Sequence, residues 1–274
     1  MSFSSFTLSA ELLRGIADLG YTVPTPIQKD AIPPALLGRD ILACAMTGSG
    51  KTAAFVLPIL QRLQGKKRGV TRVLVLSPTR ELAAQTQEQF ELLGKYTGIR
   101  SASVYGGVGM GPQETAFRKG VDVIVACPGR LLDHFQYPYA RLADLDVLVL
   151  DEADRMLDMG FLPDIRRVLA HLPRKPRQTL FFSATMPSEI VRLSRDILRD
   201  PVAINIERKA APATGISQAI YPCPQERKTA LFLELLRKPD VKSAIVFTRT
   251  KHRAKRMALQ LEAKGLKAVA QHDA

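Results

Sequence analysis

The fold of this chain is decided by the stretch Ile41-Leu42-Ala43-Cys44-Ala45-Met46-Thr47-Gly48-Ser49-Gly50-Lys51-Thr52. It opens with a short apolar run that is typical of a buried strand, continues through two glycines, and leads into a segment with helical spacing. A strand, a glycine-rich turn and a helix in this order are the context that a phosphate-binding loop requires. We therefore expect an α/β fold that binds a nucleotide phosphate at this turn.

Residues 45–52 supply the chemical groups that such a loop uses. Glycines let backbone N–H groups turn toward a phosphate, and the helix N-terminus adds its dipole. Lys51 is expected to reach the β- and γ-phosphates of ATP, and Thr52 is expected to ligate Mg²⁺. Ala45 stands where the general pattern has its first glycine. The predicted nucleotide-binding residues of the loop are Ala45, Met46, Thr47, Gly48, Ser49, Gly50, Lys51 and Thr52.

Further apolar runs alternate with segments of helical spacing, which are clearest over residues 81–93 and 161–172. This βαβα order predicts a parallel sheet with helices on both faces. Ligands of such sheets bind at the carboxyl ends of the strands. The runs predicted to form strands are residues 41–45, 73–76, 102–105, 121–126, 146–150 and 179–182.

Composition restricts the class of protein. A length of 274 residues with an apolar fraction of 46% allows one large or two modest globular domains. No stretch approaches the roughly 18 continuous apolar residues of a membrane span, so we expect a cytoplasmic protein without a membrane partner. The net charge of +13 favours a polyanionic partner such as nucleic acid, although a basic protein that is merely soluble shows the same surplus. The three cysteines include no CxxC spacing that would indicate zinc or redox chemistry.

A second chemical signal follows the apolar run at residues 146–150, which ends in Asp151-Glu152-Ala153-Asp154. Carboxylates at the carboxyl end of a buried strand resemble a Walker B site. Asp151 is then expected to hold the Mg²⁺ shell, and Glu152 is expected to orient or deprotonate the water that attacks the γ-phosphate. An acidic tetrapeptide alone is more often a solvated loop, but the strand and the upstream phosphate loop favour the catalytic interpretation.

These four residues spell the tetrapeptide that names the DEAD-box RNA helicases, and nearly the whole chain resembles that family. The segment 20–28, Gly-Tyr-Thr-Val-Pro-Thr-Pro-Ile-Gln, looks like the family's Q motif. The resemblance implies that Gln28, with Tyr21 nearby, binds adenine at its edge, and that Phe3 stacks on the base. Taken alone, Phe3 is more typical of a core residue. Residues 45–57 and 156–161 look most like the bacterial RhlE-type branch.

Three short motifs that also follow strands match RNA-contacting motifs of the family. Backbone N–H groups at glycines and helix N-termini, together with guanidinium groups, can hold phosphates without distinguishing bases. Cys127 departs from the family's usual threonine and removes a hydroxyl that could bind phosphate. The residues so implied are Pro78, Thr79, Arg80, Gly106, Gly107, Pro128, Gly129 and Arg130.

Ser183-Ala184-Thr185 follows the strand at residues 179–182 and matches the family motif that links the ATP site to strand separation. The resemblance implies that the hydroxyl groups of Ser183 and Thr185 bond to Asp154. Either hydroxyl is also a suitable N-cap for a helix, and the tripeptide alone leaves that alternative open.

The resemblance also implies two RecA-like domains. We expect a Q-motif region at residues 1–30, an ATP-binding domain at 31–206 and a polar linker at 207–218. Residues 219–274 are then a partial second domain, in which residues 245–250 resemble a family strand. Its expected strands are residues 219–221, 244–247 and 268–270, and its expected helices are residues 228–237 and 251–264.

The sequence therefore predicts an ATP-dependent RNA helicase that uses ATP and Mg²⁺ and contacts the sugar-phosphate backbone of RNA. The family's second-domain motifs that supply arginine fingers do not occur in the chain, so we expect it to unwind RNA weakly or not at all as it stands. A module that binds ATP and RNA without unwinding remains the alternative. The predicted Q motif and RNA motifs disfavour a third reading, another P-loop nucleotide enzyme.

Overall fold

The computed structural model describes residues 2–206, 217 and 219–270. The chain divides into two units, Met1–Ala210 and Ala211–Ala274. Apart from Ser217, the predicted linker at residues 207–218 lies outside the described residues. In the described part of the chain, no helix is both long and apolar enough to cross a membrane.

The first unit is built on seven short strands, all of which pair in parallel. The predicted parallel sheet is therefore confirmed. The strands are β1 (Ile41–Cys44), β2 (Val73–Leu76), β3 (Ser101–Val104), β4 (Val123–Ala126), β5 (Val147–Leu150), β6 (Gln178–Ser183) and β7 (Val202–Asn205). Their order across the sheet is β3-β4-β2-β5-β6-β1-β7.

Helices connect these strands and cover both faces of the sheet, as the βαβα pattern predicts. A short 3-10 helix, Phe3–Ser5, precedes them. The helices of the first unit are α1 (Ala10–Asp18), α2 (Pro26–Leu36), α3 (Lys51–Leu63), α4 (Arg80–Leu93), α5 (Met110–Lys119), α6 (Pro128–Phe135), α7 (Ala153–Asp158), α8 (Leu162–His171) and α9 (Ser188–Ile197).

Two apolar layers hold the sheet between these helices. Along β2, residues 73 and 75 face one layer and residues 74 and 76 face the other, because successive side chains of a strand point to opposite faces. All four side chains are fully buried. In the first layer the rings of Phe55 and Phe182 pack with centroids 5.4 Å apart. Each fully buried side chain of this size stabilises the fold by about 1.5–3 kcal/mol.

The edge strand β7 is absent from the expectations above. Among the described residues it pairs with β1 alone, and Ile204 is its one buried residue. An edge strand with a single buried side chain has no continuous apolar run, so apolar periodicity does not reveal it. Its existence depends on the unpaired side of β1, which is a tertiary property.

The second unit contains two of the predicted helices, α10 (Lys228–Leu236) and α11 (Lys251–Glu262). The three strands expected at residues 219–221, 244–247 and 268–270 were wrong, since none forms in the described part of this unit. The side chains of Ile245 and Phe247 are 86% and 93% exposed. A parallel strand needs hydrogen-bonding neighbours and covered faces, and these segments have neither.

Gly120 offers a test of how the first unit is packed. It has a φ of 67°, and a Cβ atom there would overlap the carbonyl oxygen of Gly69; Gly98 has a φ of 68° with open space around it. Gly98→Ala is expected to cost about 1 kcal/mol of stability for the left-handed backbone alone. Gly120→Ala is expected to cost at least about 1 kcal/mol more, because of the overlap. Urea denaturation measures both, and equal losses would contradict the described contact.

Candidate active site

The motifs predicted to carry chemistry all lie at one edge of the sheet. The strands are parallel and in register, with Cys44 beside Ser183 and Leu76 beside Leu150, so their carboxyl ends meet there. The strand order divides this edge into two halves. β1, β5 and β6 lead to the predicted nucleotide and coupling residues, whereas β2, β3 and β4 lead to the predicted RNA residues. The halves meet where the backbone N–H of Asp151 donates to the carbonyl of Leu76.

The phosphate loop between β1 and α3 has the backbone that its glycines predict. Gly48 and Gly50 adopt left-handed conformations, with φ of 79° and 94°. A Cβ atom on Gly50 would also lie 2.6 Å from the amide nitrogen of Gln28. Position 50 therefore requires glycine for both conformation and space. The N-terminus of α3 opens directly after it, which is the geometry that favours an anion.

Lys51 lies beneath this loop and is only 5% exposed. Its ammonium group donates a 2.8 Å hydrogen bond to the backbone carbonyl of Ala45. An ammonium has three donors, so two remain for an anion held in the loop. The side chain is thus fixed at the centre of the site by its first bond and available to a phosphate through the others.

A cavity of about 380 Å³ joins the phosphate loop to the acidic end of β5. Its volume lies within the range of small-ligand pockets, roughly 300–1,000 Å³. The wall of this cavity includes Tyr21, Gln28, Thr47, Gly48, Gly50, Lys51, Thr52, Asp151 and Glu152. The predicted nucleotide residues that do not border it are Phe3, Ala45, Met46 and Ser49.

Gln28 is held on two sides although it borders the cavity. Its Oε1 accepts from the backbone N–H of Thr25 at 2.9 Å, and its Nε2 donates to the carbonyl of Gly50 at 3.1 Å. One N–H and one oxygen lone pair remain for a ligand, so recognition of adenine by Gln28 stays a prediction. The bond to Gly50 was not predicted. The Thr-x-x-Gln pattern, which is typical of a helix N-terminus, signals only the bond to Thr25, and no sequence signal indicates the bond to Gly50.

The aromatic residues near the cavity have different surroundings. Phe3 is 4% exposed, belongs to the first core layer, and stacks on Tyr21 with ring centroids 6.4 Å apart. Tyr21 is 37% exposed and borders the cavity. The packing of Phe3 agrees with the core alternative, and its stacking on adenine stays a prediction. Tyr21 is the aromatic ring that the structure places at the wall.

Asp151 is a buried carboxylate at the end of β5, and its Oδ1 has no hydrogen-bond partner among the described residues. Burial raises the pKa of Asp151 to about 7; the charge of Lys51 opposes this rise, and that of Glu152 adds to it. A cation would supply the missing partner of Oδ1. No cluster of three or more His, Cys, Asp or Glu side chains suited to a metal occurs in the described part of the chain. An ion bound by Asp151 therefore needs ligands from a nucleotide or from water.

Glu152 has a left-handed backbone, with a φ of 51°, which is uncommon for a residue with a side chain. One carboxylate oxygen accepts from the hydroxyl of Thr47 at 3.3 Å, and the other accepts from Arg155 at 3.3 Å. Backbone and side chain together hold the carboxylate at the cavity wall. Neither the contact with Thr47 nor the one with Arg155 was predicted, although Arg155 lies three residues away on the same helical turn.

Asp154, Ser183 and Thr185 form one hydrogen-bonded cluster between β5 and β6. The carboxylate of Asp154 accepts from the N–H and the hydroxyl of Thr185, both at 2.8 Å. The hydroxyl of Ser183 instead accepts from the backbone N–H of Asp154 at 3.1 Å, so it satisfies the first turn of α7. Burial favours a higher pKa for Asp154, but the hydrogen bonds from Thr185 and Ala184 outweigh it and lower the pKa. Their role in coupling stays a prediction.

The predicted RNA residues after β2 and β3 lie close together. The hydroxyl of Thr79 caps α4 by accepting from Leu82 at 3.3 Å. A guanidinium nitrogen of Arg80 would lie 3.3 Å from a Cβ atom on Gly107, whose φ is 83°. No atom lies within 4 Å of a Cβ position on Gly106. The backbone of this turn is therefore open to a ligand at Gly106, and the guanidinium group of Arg80 lies close to it at Gly107. Pro78 is buried.

The third predicted RNA motif forms the N-terminus of α6. Pro128 occupies the first turn, where its missing N–H costs nothing, and the Cβ position of Gly129 faces open space. Arg130 donates to the carbonyl of Val108 at 2.9 Å, which ties this helix to the glycine turn after β3. Cys127 is the N-cap residue and makes no capping bond. Its burial raises the pKa of the thiol to about 11, so it stays neutral.

Asp151→Asn tests the buried carboxylate in metal-free buffer. A pKa raised from about 4 to about 7 means that the folded protein keeps a proton that the unfolded chain releases, so stability falls as the pH rises through this window. The substitution is expected to raise the free energy of unfolding at pH 8 by about 1 kcal/mol or more, and by less at pH 5. Urea denaturation with EDTA measures both, with the exposed Asp158→Asn as control. If the gain in free energy of unfolding were the same at pH 5 and pH 8, it would contradict the raised pKa of Asp151.

Comparison with known proteins agrees with this arrangement. Residues 25–193 match the family model described as DEAD/DEAH box helicase. The chain is 42% identical over 271 residues to the DEAD-box ATP-dependent RNA helicase RhpA of Helicobacter pylori (strain B128), covering 99% of this chain and 54% of RhpA. It is 41% identical over 270 residues to the ATP-dependent RNA helicase DeaD of Escherichia coli (strain K12), covering 98% of this chain and 43% of DeaD.

The fold is likewise similar to a crystal structure of a DEAD box protein from the hyperthermophile Methanococcus jannaschii. The TM-score is 0.72 at 34% identity, and the match covers 100% of this chain and 73% of that one. The chain spans about half the length of the curated relatives RhpA and DeaD. These matches do not test the resemblance to the RhlE-type branch, which stays a prediction. The family match over residues 25–193, together with the glycine loop and acidic strand end that lie within it, shows that the chain belongs to the DEAD/DEAH box helicase family.

Proposed function

We propose that this chain is the motor core of an ATP-dependent RNA helicase, which hydrolyses ATP to remodel short RNA duplexes. The observation that carries the proposal is the cavity in which Lys51, Asp151 and Glu152 meet beneath a glycine loop. An ammonium, a carboxylate for a metal and a second carboxylate for water are the groups that phosphoryl transfer to water requires. RhpA and DeaD are named as ATP-dependent RNA helicases, which supports the same assignment.

ATP is assigned to the cavity with its phosphates at the loop. The N–H groups at the start of α3, and the two donors of Lys51 that make no hydrogen bond among the described residues, can donate to phosphate oxygens there. Mg²⁺ would fit here because Asp151 has a buried oxygen without a partner among the described residues, and Thr52, whose side chain carries a hydroxyl, borders the same cavity. Asp151 and Thr52 would hold the ion, which would supply positive charge to offset the negative charge that develops in phosphoryl transfer. The adenine end is assigned to Gln28 and Tyr21.

Glu152 is assigned to the attacking water. Its carboxylate is held by Thr47 and Arg155, so its orientation is set before ATP binds. A carboxylate fixed beside the γ-phosphate can accept a proton from water or align it for in-line attack. Asp154 is already satisfied by Thr185, and we therefore give it a coupling role and no part in the chemistry.

RNA is assigned to the other half of the edge, along β2, β3 and β4. Open glycine backbone, the N-termini of α4 and α6, and the guanidinium groups of Arg80 and Arg130 provide donors for phosphate. Contacts of this kind position a strand without distinguishing its sequence. A cytoplasmic location is part of the proposal, and the three free thiols fit a reducing compartment.

Lys51→Ala and Glu152→Gln separate binding from hydrolysis. Lys51→Ala removes the buried ammonium and is expected to weaken binding of a fluorescent ATP analogue by at least about tenfold. Glu152→Gln keeps the shape of the site and removes the base, so binding is expected to change by less than about threefold while any ATP turnover falls. Titration and a phosphate-release assay give both numbers. If Glu152→Gln abolished binding as fully as Lys51→Ala, the assignment of Glu152 to water would be wrong.

Gln28→Glu tests adenine recognition. The variant keeps an oxygen for the N–H of Thr25 but loses the amide donor, so a preference for ATP over GTP analogues is expected in the native chain and is expected to shrink by about fivefold in the variant. Loss of the bond to Gly50 is expected to weaken the binding of both nucleotides alike. The informative quantity is therefore the ratio of the affinities for the ATP and GTP analogues. Equal affinities in the native chain, or an unchanged ratio in the variant, would rule out recognition by Gln28.

A further inference from the structure

A chain of buried polar side chains links α5, α6 and the segment after α6. Gln113 on α5 is 6% exposed, and His134 on α6 is fully buried. The imidazole Nε2 lies 3.1 Å from Oε1 of Gln113, and Nδ1 lies 3.1 Å from the hydroxyl of Tyr139. At its other end, Nε2 of Gln113 donates to the carbonyl of Tyr105 at 3.0 Å. No step of the proposed hydrolysis uses these groups.

Donor and acceptor roles can be assigned to each of these hydrogen bonds, and they all run in the same direction. The amide of Gln113 must direct its N–H toward the carbonyl of Tyr105, because the reverse orientation would bring two oxygens together. Its Oε1 then only accepts, so Nε2 of His134 carries the hydrogen and donates. Nδ1 in turn accepts from Tyr139. Burial lowers the pKa of His134, and the charge of Arg130 lowers it further against the carboxylates of Asp133 and Glu114, so the ring stays neutral in this tautomer.

This series of hydrogen bonds ends at the proposed RNA-binding half of the sheet edge. Tyr105 directly precedes Gly106 and Gly107, and the bond from Gln113 fixes the carbonyl at the start of that turn. Arg130 fixes the other end through Val108. His134 stands one helical turn after Arg130 on α6. The glycine turn and the N-terminus of α6 are therefore held at a set separation, from the buried side by Gln113 and His134 and from the exposed side by Arg130.

We propose that Gln113 and His134 are positioning residues for RNA, which fix the glycine turn and the N-terminus of α6 at the separation that successive phosphates of one strand need. The proposal rests on the proposed function, because it takes these two loops as the RNA site. Both side chains are buried and do not touch RNA themselves. Groups that supporting hydrogen bonds already hold in position lose less conformational entropy on binding than groups that become ordered only when the ligand binds.

The test compares two variants of similar shape, Gln113→Met and His134→Phe, with the matched control Gln178→Met. Gln178 is 5% exposed and also donates to backbone carbonyls, of Ala35 and Arg39, but at the opposite end of the sheet. Binding of a fluorescent oligouridylate of about ten nucleotides is measured by anisotropy at low salt. Binding of a fluorescent ATP analogue and thermal unfolding are measured on the same proteins.

Gln113→Met and His134→Phe are each expected to weaken RNA binding by about fivefold and to leave ATP-analogue binding within about twofold. The double variant is expected to lose little more than either single one, because both remove the same chain of bonds. Gln178→Met is expected to lower the unfolding temperature without changing RNA binding. His134→Gln, which keeps a donor for Gln113, is expected to restore most of the affinity. Nitrogen NMR of the native ring is expected to show hydrogen on Nε2 alone.

RNA affinity that is unchanged in folded Gln113→Met and in folded His134→Phe would overturn the proposal, as would an equal loss of RNA affinity in Gln178→Met. If His134→Phe does not fold, Gln113→Met and His134→Gln decide the question between them. Arg130→Ala separates this inference from the proposed function. If Arg130→Ala weakens RNA binding and the buried variants do not, only the positioning role fails; if none of these variants weakens it, the assigned RNA site itself fails, and the positioning role fails with it.

Discussion

The chemistry of this chain depends on the parallel hydrogen-bonded register of its sheet. Strands β2, β4 and β5 are four residues long and buried at every position, because helices cover both faces. Side chains within the strands therefore have no access to a ligand, and charged groups can stand only where a strand ends. Parallel pairing places all these ends at one edge. The concentration of glycine, carboxylate and guanidinium groups at that edge follows from the sheet, whatever ligand it binds.

Several groups at this edge are arranged at a cost to stability. Asp151 is buried with an oxygen that lacks a partner, Glu152 has a left-handed backbone, and the buried hydroxyl of Ser77 makes no hydrogen bond within the described residues. Each such feature costs on the order of 1–3 kcal/mol. The two apolar layers beneath the edge offset these costs. Asp154 shows the contrast, since its carboxylate is satisfied by neighbouring donors and serves as a structural tie between β5 and β6.

The sequence was sufficient for β1 to β6 and for the turns that follow them, because apolar runs and glycine turns are local signals. It failed where structure depends on distant partners. β7 has one buried side chain and exists because β1 has an open side. The expected strands of the second unit are apolar but pair with no other strand in the part of the chain that the structure describes. Gln113 bonds to Tyr105, 8 residues before it, and His134 bonds to Gln113, 21 residues before it. No periodicity of the sequence predicts these spacings.

Helix α4 borders both halves of the edge. Its first turn, with the Thr79 cap, lies among the predicted RNA residues, and Leu82, Thr86 and Gln89 form part of the nucleotide cavity wall. These fourteen residues form one continuous helix, in which each backbone hydrogen bond ties one turn to the next. The two halves are therefore joined by this helix as well as by the backbone bond between Asp151 and Leu76, which is the physical connection that the proposed coupling requires.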